Sequence, residues 1–205
     1  MPPPSLLAAT LSFFMLAAGQ TQTAPAGGPQ SGQAPPAQKN EEVAVISTDL
    51  GRIVIRFFPD SAPKHVANFK ELARARFYDG TTFHRVVRGF VIQGGDPLSK
   101  DEDPGNDGTG DGPRRLPAEF NPRPHVRGAL SMARSADPNS ASCQFFIVLK
   151  DAPNLNGQYS LFGEVIEGMD AVDRIAAQPT APGGDRPMKP VAMRGVRIET
   201  RGVPE

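Results

Sequence analysis

Within 62 residues the chain places one guanidinium, Arg85, and two side-chain amides, Gln93 and Gln144, among the bulky apolar groups Phe90, Val91, Phe145 and Phe146. They fall in two stretches, FHRVVRGFVIQGGD (83–96) and SMARSADPNSASCQFFIVL (131–149). Neither stretch holds a nucleophile beside a base. A cation with amide neighbours in an apolar setting can bind and orient a peptide. It can also stabilise a lone pair that appears during a reaction, since arginine stays protonated and carries a rigid fan of donors.

These groups need strands to hold them. Thr82–Val87 and Phe90–Gln93 read as short strands joined at Arg88-Gly89, with Gly94-Gly95 ending the second. Period-two alternation puts Phe83, Arg85 and Val87 on one face and His84 and Val86 on the other. The same rule separates Phe90 from Val91. Ala129–Met132 and Gln144–Leu149 have buried-strand patterns and flank a polar loop around Asp137-Pro138-Asn139.

Upstream, Glu42–Thr48 and Arg52–Phe58 read as a hairpin turning at Gly51. A helix follows, with Ser61 as N-cap, Pro63 in the first turn and Val66, Phe69, Leu72 and Phe77 at helical spacing to about Arg76. His65 reads as a helix-surface residue and His125 as a strand-edge residue. His84 reads as a hydrogen-bonded structural side chain. The Asp-, Gly- and Pro-rich stretch from Leu98 to Pro117 reads as a solvated surface loop. Its aspartates, Asp101, Asp103, Asp107 and Asp111, do not fall at calcium-loop offsets. Phe162–Ile166, a short helix over Met169–Ala176 and Val191–Thr200 complete the pattern.

Composition sets limits. With 22 basic and 22 acidic residues among 205, the chain has no basic surplus for nucleic acid or an anionic membrane. Its one cysteine, Cys143, permits no internal disulfide, belongs to no metal-binding pair and reads as a small packed residue. The three histidines show no metal-ligand spacing, and no G-x-S-x-G marks a hydrolase. No metal or cofactor is expected.

The run LLAATLSFFMLAA (6–18) reads as the apolar core of a secretory signal over residues 1–19, although no Lys or Arg precedes it. As a helix it would reach about 20 Å, short of a ~30 Å hydrocarbon core, so stable membrane insertion is not expected. An uncleaved signal acting as an anchor is the lesser reading. Residues 20–40, rich in Pro, Gly and Gln, read as a disordered spacer, leaving one domain over 41–202.

The two stretches closely resemble the FHR-x-x-x-GF-x-x-QGGD and SMA...SQFFI signatures of the cyclophilin-type peptidyl-prolyl cis-trans isomerases. The likeness continues through GRIVIRFFPDSAPKHVANFKELA and LFGEVIEGMDAVDRI, covering about residues 42 to 200. The resemblance implies a mainly β fold, a closed eight-stranded antiparallel barrel capped by two α-helices. It implies that Arg85 is catalytic, that Phe90, Val91, Phe146 and Leu155 form a proline pocket, and that Gln93 and Gln144 orient the substrate backbone. Ala133 would line the adjoining subsite, and Tyr159 stands where the family often has histidine. Asn154 replaces a tryptophan that contacts cyclosporin in eukaryotic members. Arg134 replaces a common asparagine, adding a cation that would favour acidic segments, and Val91 is smaller than the usual methionine.

The implied partners are proline-containing segments of unfolded or exported proteins in the periplasm or outside the cell, met by a monomer. Rotation about a prolyl bond has a barrier of ~18–20 kcal/mol, and a thousand-fold gain requires about 4 kcal/mol. One charge-assisted hydrogen bond supplies roughly 1.5–3 kcal/mol of that, with apolar clamping of the ring for the rest. The competing reading is a non-catalytic module that holds proline segments on the same fold.

Overall fold

The structure, a computed structural model, describes residues 38–204. The signal expected over residues 1–19, and all but the end of the spacer expected over 20–40, lie outside the described residues. In chain order the strands are β1 (Gln38–Thr48), β2 (Gly51–Phe57), β3 (Arg85–Val87), β4 (Val91–Gly94), β5 (Ala129–Met132), β6 (Phe145–Val148), β7 (Leu161–Glu167) and β8 (Met193–Pro204). Helix α1 (Pro63–Arg74) lies between β2 and β3, and α2 (Met169–Ala176) between β7 and β8. β1 begins three residues inside the stretch expected as spacer, because those residues pair with the end of β8.

The strands form one sheet in the order β3-β4-β6-β5-β7-β2-β1-β8, and every neighbouring pair is antiparallel. This is the eight-stranded, two-helix architecture expected, with one difference at the closing seam. The edge strands β3 and β8 share no ladder. Instead the chain just before β3 meets the start of β8: Gly80 N–H donates to Met193 O (2.8 Å), Met193 N–H to Thr81 O (2.7 Å) and Phe83 N–H to Val191 O (3.0 Å).

That seam shortens the strand expected over Thr82–Val87. Phe83 turns into the main core together with Val86, so it does not share a face with Arg85. Phe90 lies in the turn before β4, where its N–H donates to Val87 O (2.9 Å), so strict alternation does not govern it. Gly94 passes so close to the seam that a Cβ would lie 2.7 Å from the Met193 side chain and 2.8 Å from Thr82 O. Gly95 then turns the chain at φ +87°.

Helix α1 buries Val66, Phe69, Leu72 and Ala73 against the sheet. Phe69 is its anchor, with ring centroids 4.9–5.7 Å from those of Tyr78, Phe145, Phe162 and Phe57. Ser61 is not the N-cap. Ala62 holds that position without a side-chain bond, and the carboxylate of distant Glu119 accepts from Lys64 N–H (3.1 Å) and His65 N–H (3.0 Å). A negative charge at this end suits the free amides and the helix dipole. The helix stops at Arg74 because Arg76 turns left-handed (φ 58°), with Phe77 N–H bonded to Leu72 O and Arg76 N–H to Ala73 O. His65 is fully buried and not on the helix surface; its Nδ1 lies 2.6 Å from Glu119 Oε2. No helix among the described residues is long and apolar enough to cross a membrane.

Candidate active site

Alternation along β4 and β6 sends Ile92, Phe145 and Ile147 into the main core and Val91, Phe146 and Val148 to the opposite face. There a second apolar cluster forms, joined by Val87, Phe90, Ala133, Leu155 and Tyr159. Register does the rest. Arg85 pairs with Gln93, Gln93 with Phe146 and Phe146 with Ser131, giving one row of side chains across β3, β4, β6 and β5. Neighbouring strands lie about 4.8 Å apart, so the row sets Arg85 and Phe146 roughly 10 Å apart at the backbone. A five-membered ring fits between guanidinium and phenyl.

The space between them is a cavity of about 180 Å³ lined by Arg85, Phe90, Val91, Gln93, Ala133, Arg134, Phe146, Leu155 and Tyr159. All nine sequence candidates except Gln144 border it. Arg85 Nε donates to Asp185 Oδ2 (3.2 Å) and Nη1 to Gln93 Oε1 (3.5 Å). A guanidinium has five N–H groups, so three remain for a ligand. Gln93 Nε2 donates to Gln144 Oε1 (3.0 Å), and Gln144 Nε2 to the carbonyls of Gly108 (3.0 Å) and Gly110 (2.9 Å). Gln144 therefore braces Gln93 against a loop, with its own donors already taken, while Gln93 keeps a free N–H.

Two aromatic rings hold Phe146 in place. Tyr159 meets it edge-on (centroids 5.3 Å, 89°), and His125 stacks behind it (6.2 Å, 20°). His125 is buried and not at a strand edge. Its Nδ1–H donates to Asn156 Oδ1 (3.1 Å), so Nε2 accepts from the Ser131 hydroxyl (2.8 Å), and burial holds the ring's pKa below the ordinary histidine value. Arg134, expected as a second cation favouring acidic segments, donates to the carbonyls of Gln158 (3.0 Å) and Ser135 (2.8 Å) and lies over the Tyr159 ring at 4.9 Å. It braces Tyr159.

An adjoining cavity of about 280 Å³ shares Gln93, Ala133 and Arg134 and extends to Gln144, Arg115 and residues 108–111. Its far wall is the loop expected to be solvated. In fact the loop opens with a short 3-10 helix, Pro97–Lys100, and is pinned by fully buried Asp96. The Asp96 carboxylate accepts from the amides of Leu98 (2.8 Å), Gly110 (3.2 Å) and Gly108. Carboxylate bonds to several backbone amides need a fixed local turn, which explains why so polar a stretch is ordered. Asp107 and Asp111 bind Arg186 and Arg115. His84 lies beneath this loop with both ring nitrogens buried, and burial holds its pKa below the ordinary histidine value against the pull of Asp96, Asp107 and the Thr82 backbone. Cys143 is packed at the same wall, where burial pushes its thiol up to about 12, so it is an inert spacer.

The sequence reading missed Asp185, Asp96 and the 108–111 wall. Asp185 binds Arg85 across 100 residues and no local pattern marks it, whereas Asp96 ends the QGGD stretch and caps Leu98 two residues on, a local signal that could have found it.

Comparisons with known proteins show the family. The family model for cyclophilin type peptidyl-prolyl cis-trans isomerases matches residues 43–198. A probable peptidyl-prolyl cis-trans isomerase of Brucella abortus is 44% identical over 86% of this chain and 87% of its own length. Peptidyl-prolyl cis-trans isomerase B of Streptomyces anulatus is 41% identical over 77% and 97%. The crystal structure of a Cryptosporidium parvum cyclophilin type isomerase, determined in the presence of the dipeptide Ala-Pro, superposes with a TM-score of 0.71 at 30% identity and covers 78% of this chain and 99% of its own. By this family match and these relatives, the chain belongs to the cyclophilin-type peptidyl-prolyl cis-trans isomerases.

Proposed function

We propose that Arg85 is the catalytic group of this isomerase and that the 180 Å³ cavity beside it takes the proline ring of an X-Pro segment. The observation that carries this reading is the pair of facing surfaces: three unengaged N–H groups of Arg85 on one side, and Phe146, Val91 and Leu155 on the other. In the planar ground state the prolyl nitrogen shares its lone pair with the carbonyl and offers no acceptor. Twisting frees the lone pair, and an Arg85 Nη–H then donates to it, a bond present in the transition state alone. The Phe146 clamp fixes the ring while the acyl side turns. Gln93, held by Gln144 and Arg85, donates its remaining N–H to the substrate backbone. No proton is transferred, and the site residues require no cofactor.

The substrates in this reading are X-Pro segments of exported proteins. The apolar run 6–18 supports export through a secretory signal, and amino-terminal sequencing of the extracytoplasmic protein tests it: an intact Met1 there would reject cleavage.

The catalytic assignment is tested by exchange NMR on a blocked Ala-Ala-Pro-Ala peptide. The expected result is that Arg85→Ala stays folded, still binds the peptide and loses about 100-fold in exchange rate. Parental exchange in that variant would reject Arg85 as the catalyst, and binding without acceleration by the parent would favour a proline-holding module.

A further inference from the structure

The groove's cation is held from a part of the chain outside the sheet. Between α2 and β8 residues 179–188 fold back on themselves as a strap: Ala181 N–H donates to Arg186 O (2.9 Å), Gly184 N–H to Ala181 O (3.0 Å) and Met188 N–H to Pro179 O (2.8 Å). Two adjacent residues of opposite charge at its tip each bind one wall of the groove. Asp185 Oδ2 accepts from Arg85 Nε (3.2 Å), and Asp185 O accepts from the neighbouring Val86 N–H (2.6 Å). Arg186 Nε donates to Asp107 Oδ2 (2.8 Å) in the 105–111 loop.

We propose that Asp185 is a positioning residue of the isomerase, holding the plane and roll of the Arg85 guanidinium so that its Nη edge faces the prolyl nitrogen. The proposal rests on the reading of Arg85 given above. An arginine side chain turns about four bonds, and a free one would present its donors to the cavity in a small share of its rotamers. Here the guanidinium is tied at two points: Nε to Asp185 from the strap side and Nη1 to Gln93 from the sheet side. Two bonds to one planar group fix that plane, and the unengaged N–H groups are left on the cavity side. Asp185 is itself held by its main chain, since its carbonyl bond to Val86 anchors the strap beside the very strand that carries Arg85.

Both partners are about half exposed, at 42% and 49% of the side chain, so the pair adds little to folding stability. Its effect is expected in the rate, because orientation of a donor acts on the transition state. A carboxylate also weakens the field of the cation it binds, which acts in the opposite sense. Orientation prevails here because the carboxylate sits at Nε, on the side away from the cavity, in contact with solvent that screens its charge.

Exchange kinetics of the full chain on the blocked Ala-Ala-Pro-Ala peptide test this. The expected result is that Asp185→Ala lowers kcat/KM about three- to tenfold with peptide Kd unchanged, while Asp185→Asn, which keeps an acceptor, stays within about twofold of the parent. Arg186→Ala, which loosens the strap but keeps the carboxylate, should also stay near the parent. In Asp185→Ala the Arg85 Nε–H resonance should shift and exchange faster with water, a change that general loosening of the strap in Arg186→Ala would not produce. Asp185→Ala should add no further loss to Arg85→Ala. Loss in Arg85→Ala with parental or faster turnover in Asp185→Ala would overturn this assignment alone. Parental turnover in Arg85→Ala would overturn the reading of Arg85 and this assignment together.

Discussion

Arg85, Gln93 and Phe146 stand in a row because three strands are in register, whereas the opposite wall, residues 108–111, stands where it does because a buried carboxylate holds its amides. The first wall is built by burial: beneath it, Ile92, Phe145 and Ile147 are completely enclosed. The second is built by charge, through Asp96 to Gly108 and Gly110, and Asp107 to Arg186. Burial spreads its energy over many contacts, so no single change removes it, whereas the loop wall hangs on one carboxylate whose loss releases several amides at once. The catalytic row thus sits on the wall that is hard to deform. The adjoining cavity, which would receive residues flanking the proline, is bounded by the wall that small changes can reshape.

The largest effect should come from the strand wall. Phe146 is 5% exposed, and Phe146→Ala removes the clamp between Tyr159 and His125 and leaves a hole against Leu155. Its expected cost is about 3–5 kcal/mol of unfolding free energy, read from urea titration, together with loss of peptide binding. A variant that kept both would show that the proline ring sits elsewhere. On the loop wall Asp96→Asn turns the acceptor of Gly108 and Gly110 into a donor facing donors. A loss of about 1–3 kcal/mol is expected, with X-Pro binding retained and preference for flanking residues altered. Peptide-library titration checks this: unchanged flanking preference would mean that the second cavity takes no substrate residue.

The same division explains what the sequence disclosed. The motif resemblance picked out Arg85, Phe90, Val91, Gln93 and Phe146, and alternation set the faces of the strands beneath them, because a strand's faces are set by its own residues; Phe90, in a turn, is outside that rule. Alternation failed at Phe83, where the seam with β8 overrides the local period. The cap on α1 was misplaced at Ser61 because its occupant, Glu119, is 54 residues away from His65. Asp185 was invisible for the same reason, lying 100 residues from Arg85. His65 looked like a surface residue from its polarity, yet its pairing with Glu119 makes burial tolerable. Interactions decided by burial are written locally, and those decided by a single distant charge are not.

Mild acid should separate the two walls with the smallest effect. His65, His84 and His125 all have pKa values pushed below the ordinary 6.5, in each case first by burial. Opposing it are Glu119 beside His65, Asn156 beside His125, and Asp96 and Asp107 beside His84, where Arg85 acts in the same sense as burial. Above 6.5 both folded and unfolded chains carry neutral histidines, so the full stability is present. As pH falls below 6.5 the unfolded chain takes up protons that the folded one refuses, and stability drains away towards the folded values. The urea midpoint should therefore be level between pH 8 and 7 and decline as pH falls below 6.5, before carboxylates begin to titrate. His84 links this decline to the loop wall, because a Cβ at Gly108 would lie 3.5 Å from its Nε2 and because Asp96, which holds the Gly108 and Gly110 amides, also acts on its ring. Amide resonances of Gly108 and Gly110 should shift in that window while those of Gln93 and Ile147 stay still. A level midpoint down to pH 5, or shifts spread evenly over both walls, would erase the distinction between a wall set by burial and a wall set by charge.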